Sequence, residues 1–277
     1  MVSLYENEVE QNKGYDIEFL LDNLHENPII EILSYPNNSY GITKNRLISL
    51  KKLGVCKIFF IGKLKIQKLN ILGKGTNSIV LKTMTERGVS AVKIMRPDSN
   101  RDTFYHEVEM LRIANELNIG PKVMNFTKDI ILMEYIPGDT ISETLMKEID
   151  RPGNKGTKNL MQIFRNVFDQ CLKLDREGLD HGEINRPDKH IIINNKMEIK
   201  ILDFESSSIN RRVTNVTSIG HFLFIGGPLS SIICERFLIY DKDFLFQVFT
   251  NYKNSLDRKI IDDFLHLLSE NIGLNLE

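Results

Sequence analysis

The chain has 277 residues, 42% of them apolar, and carries 36 basic against 37 acidic side chains for a net charge of −1. That apolar share can fill one large core or two smaller ones and excludes disorder as the default, while the balanced charge excludes a whole-chain attraction to nucleic acid or membrane. Cys56, Cys171 and Cys234 are scattered without a CxxC pair, and no apolar run reaches the ~18 residues of a membrane span, so a soluble, cytoplasmic protein with no membrane partner is expected.

Residues 1 to 15 read as polar and irregular. Ile17, Leu20 and Leu21 then recur at helical spacing within Asp16 to Leu24. Pro28 suits the first turn of a second helix through Leu33, and Pro36-Asn37-Asn38 breaks the chain. Ile42 to Leu53 reads as a third helix stopped by Gly54, followed by a β-ribbon of residues 55 to 61 against 64 to 72 around a turn at Gly62. Three short helices and a ribbon give a winged-helix outline, so residues 1–64 form the first expected module. Residues 41 to 70 hold eight basic side chains (Lys44, Arg46, Lys51, Lys52, Lys57, Lys63, Lys65 and Lys68) and no acidic one, a pattern that would suit a nucleic-acid backbone. The plainer reading, a solvated face on a small packing module, weighs more.

From Ile66 the pattern changes to strands, Ile66 to Leu72 and Ile79 to Met84, joined by a glycine-rich turn. A third strand covers Ser90 to Met95, a helix Asp102 to Leu117, and a further strand Ile130 to Ile136. A long helix is expected over Lys158 to Glu177, with Leu160, Phe164, Val167, Cys171 and Leu174 on one face. A hairpin of 191–193 and 199–202 follows, then helices over 241–253 and 256–268.

Gly73-Lys74-Gly75-Thr76-Asn77-Ser78-Ile79-Val80 reads G-x-G-x-x-S-x-V between two strands. A dinucleotide fingerprint needs a helix after the glycines, whereas Ile79 to Met84 is strand-like. The context therefore favours a strand-loop-strand flap whose bare backbone can approach phosphates, although taken alone the segment is a plain hairpin turn. Lys93 interrupts the apolar strand Ser90-Ala91-Val92-Lys93-Ile94, and a buried ammonium needs a partner. Glu107, on the same helical face as Leu111, is the expected one, and Glu109 points elsewhere. Downstream, Leu179-Asp180-His181-Gly182-Glu183 ends a helix and Ile201-Leu202-Asp203-Phe204-Glu205 ends a hairpin strand. Two carboxylates so placed can converge, one to take a proton from an acceptor hydroxyl and one to hold a magnesium ion on phosphates.

In this order the motifs resemble the protein-kinase superfamily over about residues 66 to 205. The short form is similar to RIO-type kinases and to the kinase component of the tRNA threonylcarbamoyl-modification complex. It looks most like a set of predicted archaeal serine/threonine kinases with a His-Gly-Glu catalytic loop. The resemblance implies an α+β, two-lobed protein-kinase-like fold binding ATP and Mg2+ in the cleft, with an N-lobe over 65–136 and a reduced C-lobe over 137–277. It further implies nucleotide contacts from Gly73, Lys74, Gly75, Ser78, Val80, Ala91, Lys93, Met133, Glu134 and Ile136, with Met133 to Ile136 as gatekeeper and hinge. Lys93 and Glu107 become the phosphate-anchoring pair, Glu183 the catalytic base, and Asp203 the metal ligand, assisted by His190 or Asp188.

The sequence departs from the family at four places. Glu183 stands where an aspartate is expected. His190 precedes Ile191-Ile192-Ile193 where an asparagine is expected, on a loop two residues longer than usual. Glu205 replaces the glycine after Asp203-Phe204, and no Ala-Pro-Glu follows in the last 72 residues. The short C-terminal part argues against recognition of an extended peptide, leaving a folded protein, a ribonucleoprotein or a small hydroxylated molecule as acceptor. The expected activity is an ATP-dependent serine/threonine kinase of RIO-like kind; a small-molecule kinase and an ATP-binding pseudokinase or ATPase scaffold are the competing readings.

Overall fold

A computed structural model of the protein describes residues 14–273, a mixture of helices and strands. The irregular stretch expected over 1–15 lies, up to residue 13, outside the described residues. The described residues form two compact units, one of residues 14–108 with 122–135 and one of residues 109–121 with 136–273.

The first unit is built on a seven-stranded antiparallel sheet. Its strands are β1 (Tyr15–Asp16), β2 (Val55–Phe59), β5 (Gly73–Lys74), β6 (Ser78–Thr85), β7 (Gly88–Met95), β8 (Val123–Phe126) and β9 (Ile130–Glu134), in the order β1-β2-β6-β7-β9-β8 with β5 on β6. The remaining strands, β3 (Leu64–Ile66) and β4 (Leu69–Ile71), form a separate hairpin. Alternation divides the sheet faces cleanly, because successive side chains point to opposite sides. Ile79, Leu81, Val92, Ile94, Ile130 and Leu132 face the N-terminal helices Ile17–Asp22, Ile29–Leu33 and Tyr40–Lys52, meeting Leu20, Ile32, Leu47 and Leu50 in one core. On the other face, Ile131 and Met133 pack with Met95, Phe104 and Val108.

Two expectations for this region are corrected. The ribbon of 55–61 against 64–72 does not form: β2 pairs with β6, with Phe59 opposite Lys82 and Ile58 opposite Thr83. An isolated two-stranded ribbon is marginal in water, whereas an edge of a larger sheet satisfies the same backbone groups and buries Val55 and Ile58. The strand read over 66–72 is split by Gln67, whose φ of 51° turns the chain back on itself. Residues 14–64 therefore share their sheet and their core with the strands that follow. Arg46 also leaves the basic stripe. It is buried, donates to the Leu33 and Met95 carbonyls and lies 3.8 Å from Asp129.

The second unit is mainly helical. The long helix runs Asn154–Glu177 and ends on Gly178 in the left-handed conformation. Its buried face includes Leu160, Phe164, Val167, Phe168 and Cys171, and Phe164 and Phe168 join an aromatic cluster with Phe224, Phe237, Phe249 and Phe264. Beyond Glu205 the chain forms the helices Asn215–Phe224, Ser230–Arg236, Lys242–Ser255 and Arg258–Asn271. The expected hairpin appears as β11 (Ile191–Ile193) and β12 (Ile199–Ile201), joined on its other edge by β10 (Asp139–Thr140). Thr140 and Glu143 then cap the helix Ile141–Ile149 reciprocally, an element beyond those expected from the sequence. No helix among the described residues is long and apolar enough to cross a membrane.

Candidate functional site

In the first unit, Gly73 pairs with Val80 and Lys74 with Ile79, and the Gly75 amide donates to the Ser78 carbonyl at 2.8 Å, closing the turn. Gly75 is exposed and does not occupy the left-handed region; a Cβ built there would meet only Ser78, at 3.6 Å, an ordinary contact. The turn therefore tolerates a side chain at 75, and its bare backbone is open to close approach from outside the chain.

Register places the other expected residues relative to this turn. Val80 is opposite Lys93, which is opposite Ile131, while Ala91 is opposite Met133, so all five share the sheet face that carries Phe104 and Val108. Lys93 and Glu107 meet: Nζ donates to Oε1 at 2.7 Å, with side-chain exposures of 5% and 4%. Two opposite charges buried to this degree hold each other in place, since removing either leaves the other desolvated. Glu134, expected at the hinge, is tied to the neighbouring chain segment. Its N–H donates to the Lys122 carbonyl at 2.9 Å and its carboxylate accepts from the Lys122 N–H at 3.2 Å. That N–H is thus already used within the sheet edge.

In the second unit, Glu183, His190 and Asp203 converge, each offering a ligand atom within 4.8 Å of the others. His190 Nε2 lies 3.3 Å from Glu183 Oε2 and its Nδ1 3.8 Å from Asp203 Oδ2, so the buried imidazole stands between two part-exposed carboxylates. The β11–β12 pairing produces this geometry, because the Leu202 N–H donates to the His190 carbonyl and fixes the two strand ends together. Asp203 itself sits at φ 66°, ψ 74°, a left-handed conformation that costs a non-glycine residue energy and turns its carboxylate out of the strand. Asp188 is not part of the cluster. It is exposed and accepts from the Ser142 N–H at 3.0 Å, at the start of the helix Ile141–Ile149. One turn of chain, Pro187–His190, points positions 188 and 190 in different directions, which a count along the sequence does not reveal.

Residues not singled out from the sequence hold this loop. The His181 N–H donates to Asn215 Oδ1 at 2.9 Å, and Asn215 Nδ2 donates to Asp175 Oδ1 at 2.7 Å. Asp175 also accepts from the Asn215 and Val216 amides and from Tyr252 Oη at 2.9 Å. Burial pushes the Asp175 carboxyl above its ordinary range while these donors pull it back down. Its only sequence signal is position, an acid four residues after Cys171 on the apolar stripe of the long helix. Asp180 adds a second brace, accepting from Thr214 N–H and Oγ1 and, at 2.5 Å, from Arg211 Nε. Gly182 has φ +86°, and a Cβ there would fall 2.6 Å from the Ser206 carbonyl oxygen, so this glycine is required by the loop itself.

His181 is fully buried beside Phe204, with ring centroids 5.0 Å apart. Its Nε2–H donates to the Leu202 carbonyl at 2.9 Å and Nδ1 accepts from the Glu183 N–H at 3.4 Å, the pattern of a neutral imidazole. Burial brings its pKa down to about 4 against the pull of the Leu202 bond, so the ring stays neutral and positions Glu183 from behind.

No protein-family model and no curated protein matches this chain.

Proposed function

We propose that the protein is an ATP- and magnesium-dependent phosphotransferase of two-lobed, protein-kinase-like architecture, acting as an atypical RIO-like serine/threonine kinase. The observation that carries this reading is the convergence of Glu183, His190 and Asp203, from stretches twenty residues apart, on one small cluster. The buried Lys93–Glu107 pair beside a glycine turn supports it, since together they offer an ammonium and a turn that no side chain at Gly75 screens from phosphates.

Two carboxylates suit magnesium, which binds few protein oxygens and takes its remaining ligands from water and phosphate. An imidazole is a softer ligand, and its place between the carboxylates fits the orientation of both. In this scheme Asp203 would hold the ion, which would offset phosphate charge, and Lys93, fixed by Glu107, would contact phosphate oxygens. Glu183 orients the acceptor hydroxyl and accepts its proton as the bond from that oxygen to the γ-phosphorus forms and the bond from the γ-phosphorus to the bridging oxygen of ATP breaks, with ADP as the leaving group. The acceptor is a folded protein, a ribonucleoprotein or a small hydroxylated molecule.

The test is magnesium-dependent turnover of γ-labelled ATP by wild type, Glu183→Gln and Asp203→Ala. Transfer of label or release of phosphate that is lost in both variants supports the assignment. Tight ATP binding with no turnover in wild type makes the chain a nucleotide-binding scaffold instead, and full activity in either variant removes that residue from the site.

A further inference from the structure

The N-terminal helices carry none of the residues expected at the nucleotide site, yet a chain of side-chain contacts leads from them to the glycine turn. Tyr35 follows the helix Ile29–Leu33, and its ring packs on the main core of the first unit. Lys74 Nζ lies 4.5 Å from the centroid of that ring, and the Arg96 guanidinium carbon lies 5.0 Å from it. Arg96 in turn grips the turn from both ends: its backbone N–H donates to the Asn77 carbonyl at 2.8 Å and Nη1 donates to the Gly75 carbonyl at 3.0 Å. The remaining face of the guanidinium is held by Asp98, which accepts from Nε at 2.9 Å and from Nη2 at 2.6 Å. Behind this lies Arg46, whose two guanidinium nitrogens donate to the carbonyls of Leu33 and Met95, the residues two before Tyr35 and one before Arg96. One buried cation therefore pins the segment carrying the ring to the segment carrying the grip.

We propose that Tyr35 and Arg96 are positioning residues of the 73–78 turn, so that the N-terminal helical segment is an integral part of the phosphate-binding flap. Tyr35 seats the two cations nearest the flap, and Arg96 transmits that seat to the Gly75 and Asn77 carbonyls. This role in binding rests on the nucleotide reading above; the order imposed on the turn does not. A cation over an aromatic face is a modest attraction at a part-exposed site, and two on one ring amount to about a tenfold effect on an equilibrium.

The experiment compares wild type with Tyr35→Leu, Tyr35→Phe and Arg96→Gln by two readouts. Without nucleotide, amide exchange over residues 73–78 is expected to quicken about tenfold in Tyr35→Leu and Arg96→Gln while β7 and β9 stay protected. With nucleotide, the affinity for ATP is expected to fall about three- to tenfold in the same variants, with adenosine affinity unchanged, because the turn addresses phosphates. Tyr35→Phe, which keeps the ring, is expected to restore most of both. Unchanged exchange overturns the proposal, as does an equal loss of ATP and adenosine binding with general loss of protection, which makes Tyr35 a prop of the core. If wild type binds neither ligand, the nucleotide reading and the flap's binding role fall together, while the exchange result still decides whether Tyr35 and Arg96 order the turn.

Discussion

Two buried charges, one in each unit, are held by different means. In the first, Lys93 and Glu107 neutralise each other across one 2.7 Å contact between a strand and a helix. In the second, Asp175 is held by the hydroxyl of Tyr252, the side-chain amide of Asn215 and two backbone amides, all of them neutral donors. A direct pair gives a fixed charge that a ligand can use but makes each partner dependent on the other. A fan of neutral donors spreads the load over several elements and fixes a loop, here that of His181 and Glu183.

The largest effect expected from this contrast is at the direct pair. Lys93→Ala leaves Glu107 buried without its ammonium and should cost about 3–5 kcal/mol in denaturant unfolding, whereas Lys93→Met combined with Glu107→Leu should recover most of it. If the double replacement is as unstable as the single one, the loss comes from packing around the two side chains and not from an uncompensated charge. Asp175→Asn turns one acceptor of the fan into a donor facing other donors and should cost about 1–3 kcal/mol. A loss below that range would mean that water or another group satisfies Asn215 and Tyr252.

Smaller effects separate stability from function. Asp203→Gly relieves the left-handed backbone at the end of β12 and is expected to raise stability by about 0.5–1 kcal/mol while removing magnesium-dependent nucleotide binding, read by calorimetry with and without the ion. Gly75→Ala should change the unfolding free energy by no more than about 1 kcal/mol, in the stabilising direction, because the turn has room for a Cβ, yet it should weaken ATP binding. Undiminished ATP affinity in that variant would show that the turn does not approach phosphates.

Legibility in the sequence followed the range of the interaction. The Lys93–Glu107 contact was readable because a charge inside an apolar strand demands a partner, and the next helix offers one on its apolar-facing side. The β11–β12 hairpin and the long helix were readable from their own periodicity, with ends within four residues of those observed. The helices Ile141–Ile149 and Asn215–Phe224 were not individually legible, the first because a Thr-x-x-Glu cap follows directly on a strand and the second because it is apolar nearly all round. Asp188 and Asp175 show the same limit within the site: the family resemblance left His190 and Asp188 as alternatives beside Asp203, the fold brings His190 to it, and nothing local marked Asp175 as the residue that fixes the loop.

The sequence by itself determined the long helix, the β11–β12 hairpin, the glycine turn, the lysine that needed a partner and the acids at the ends of a helix and a hairpin, since each is set by a few neighbouring residues. Only the tertiary structure decided that Val55–Phe59 joins β6 rather than a ribbon of its own, that Arg46 is an internal anchor rather than part of a basic surface, and that Tyr35 reaches the turn at Gly75. These are choices among distant partners of similar local merit, and they are settled by which arrangement buries the most apolar surface while leaving backbone and charged groups satisfied.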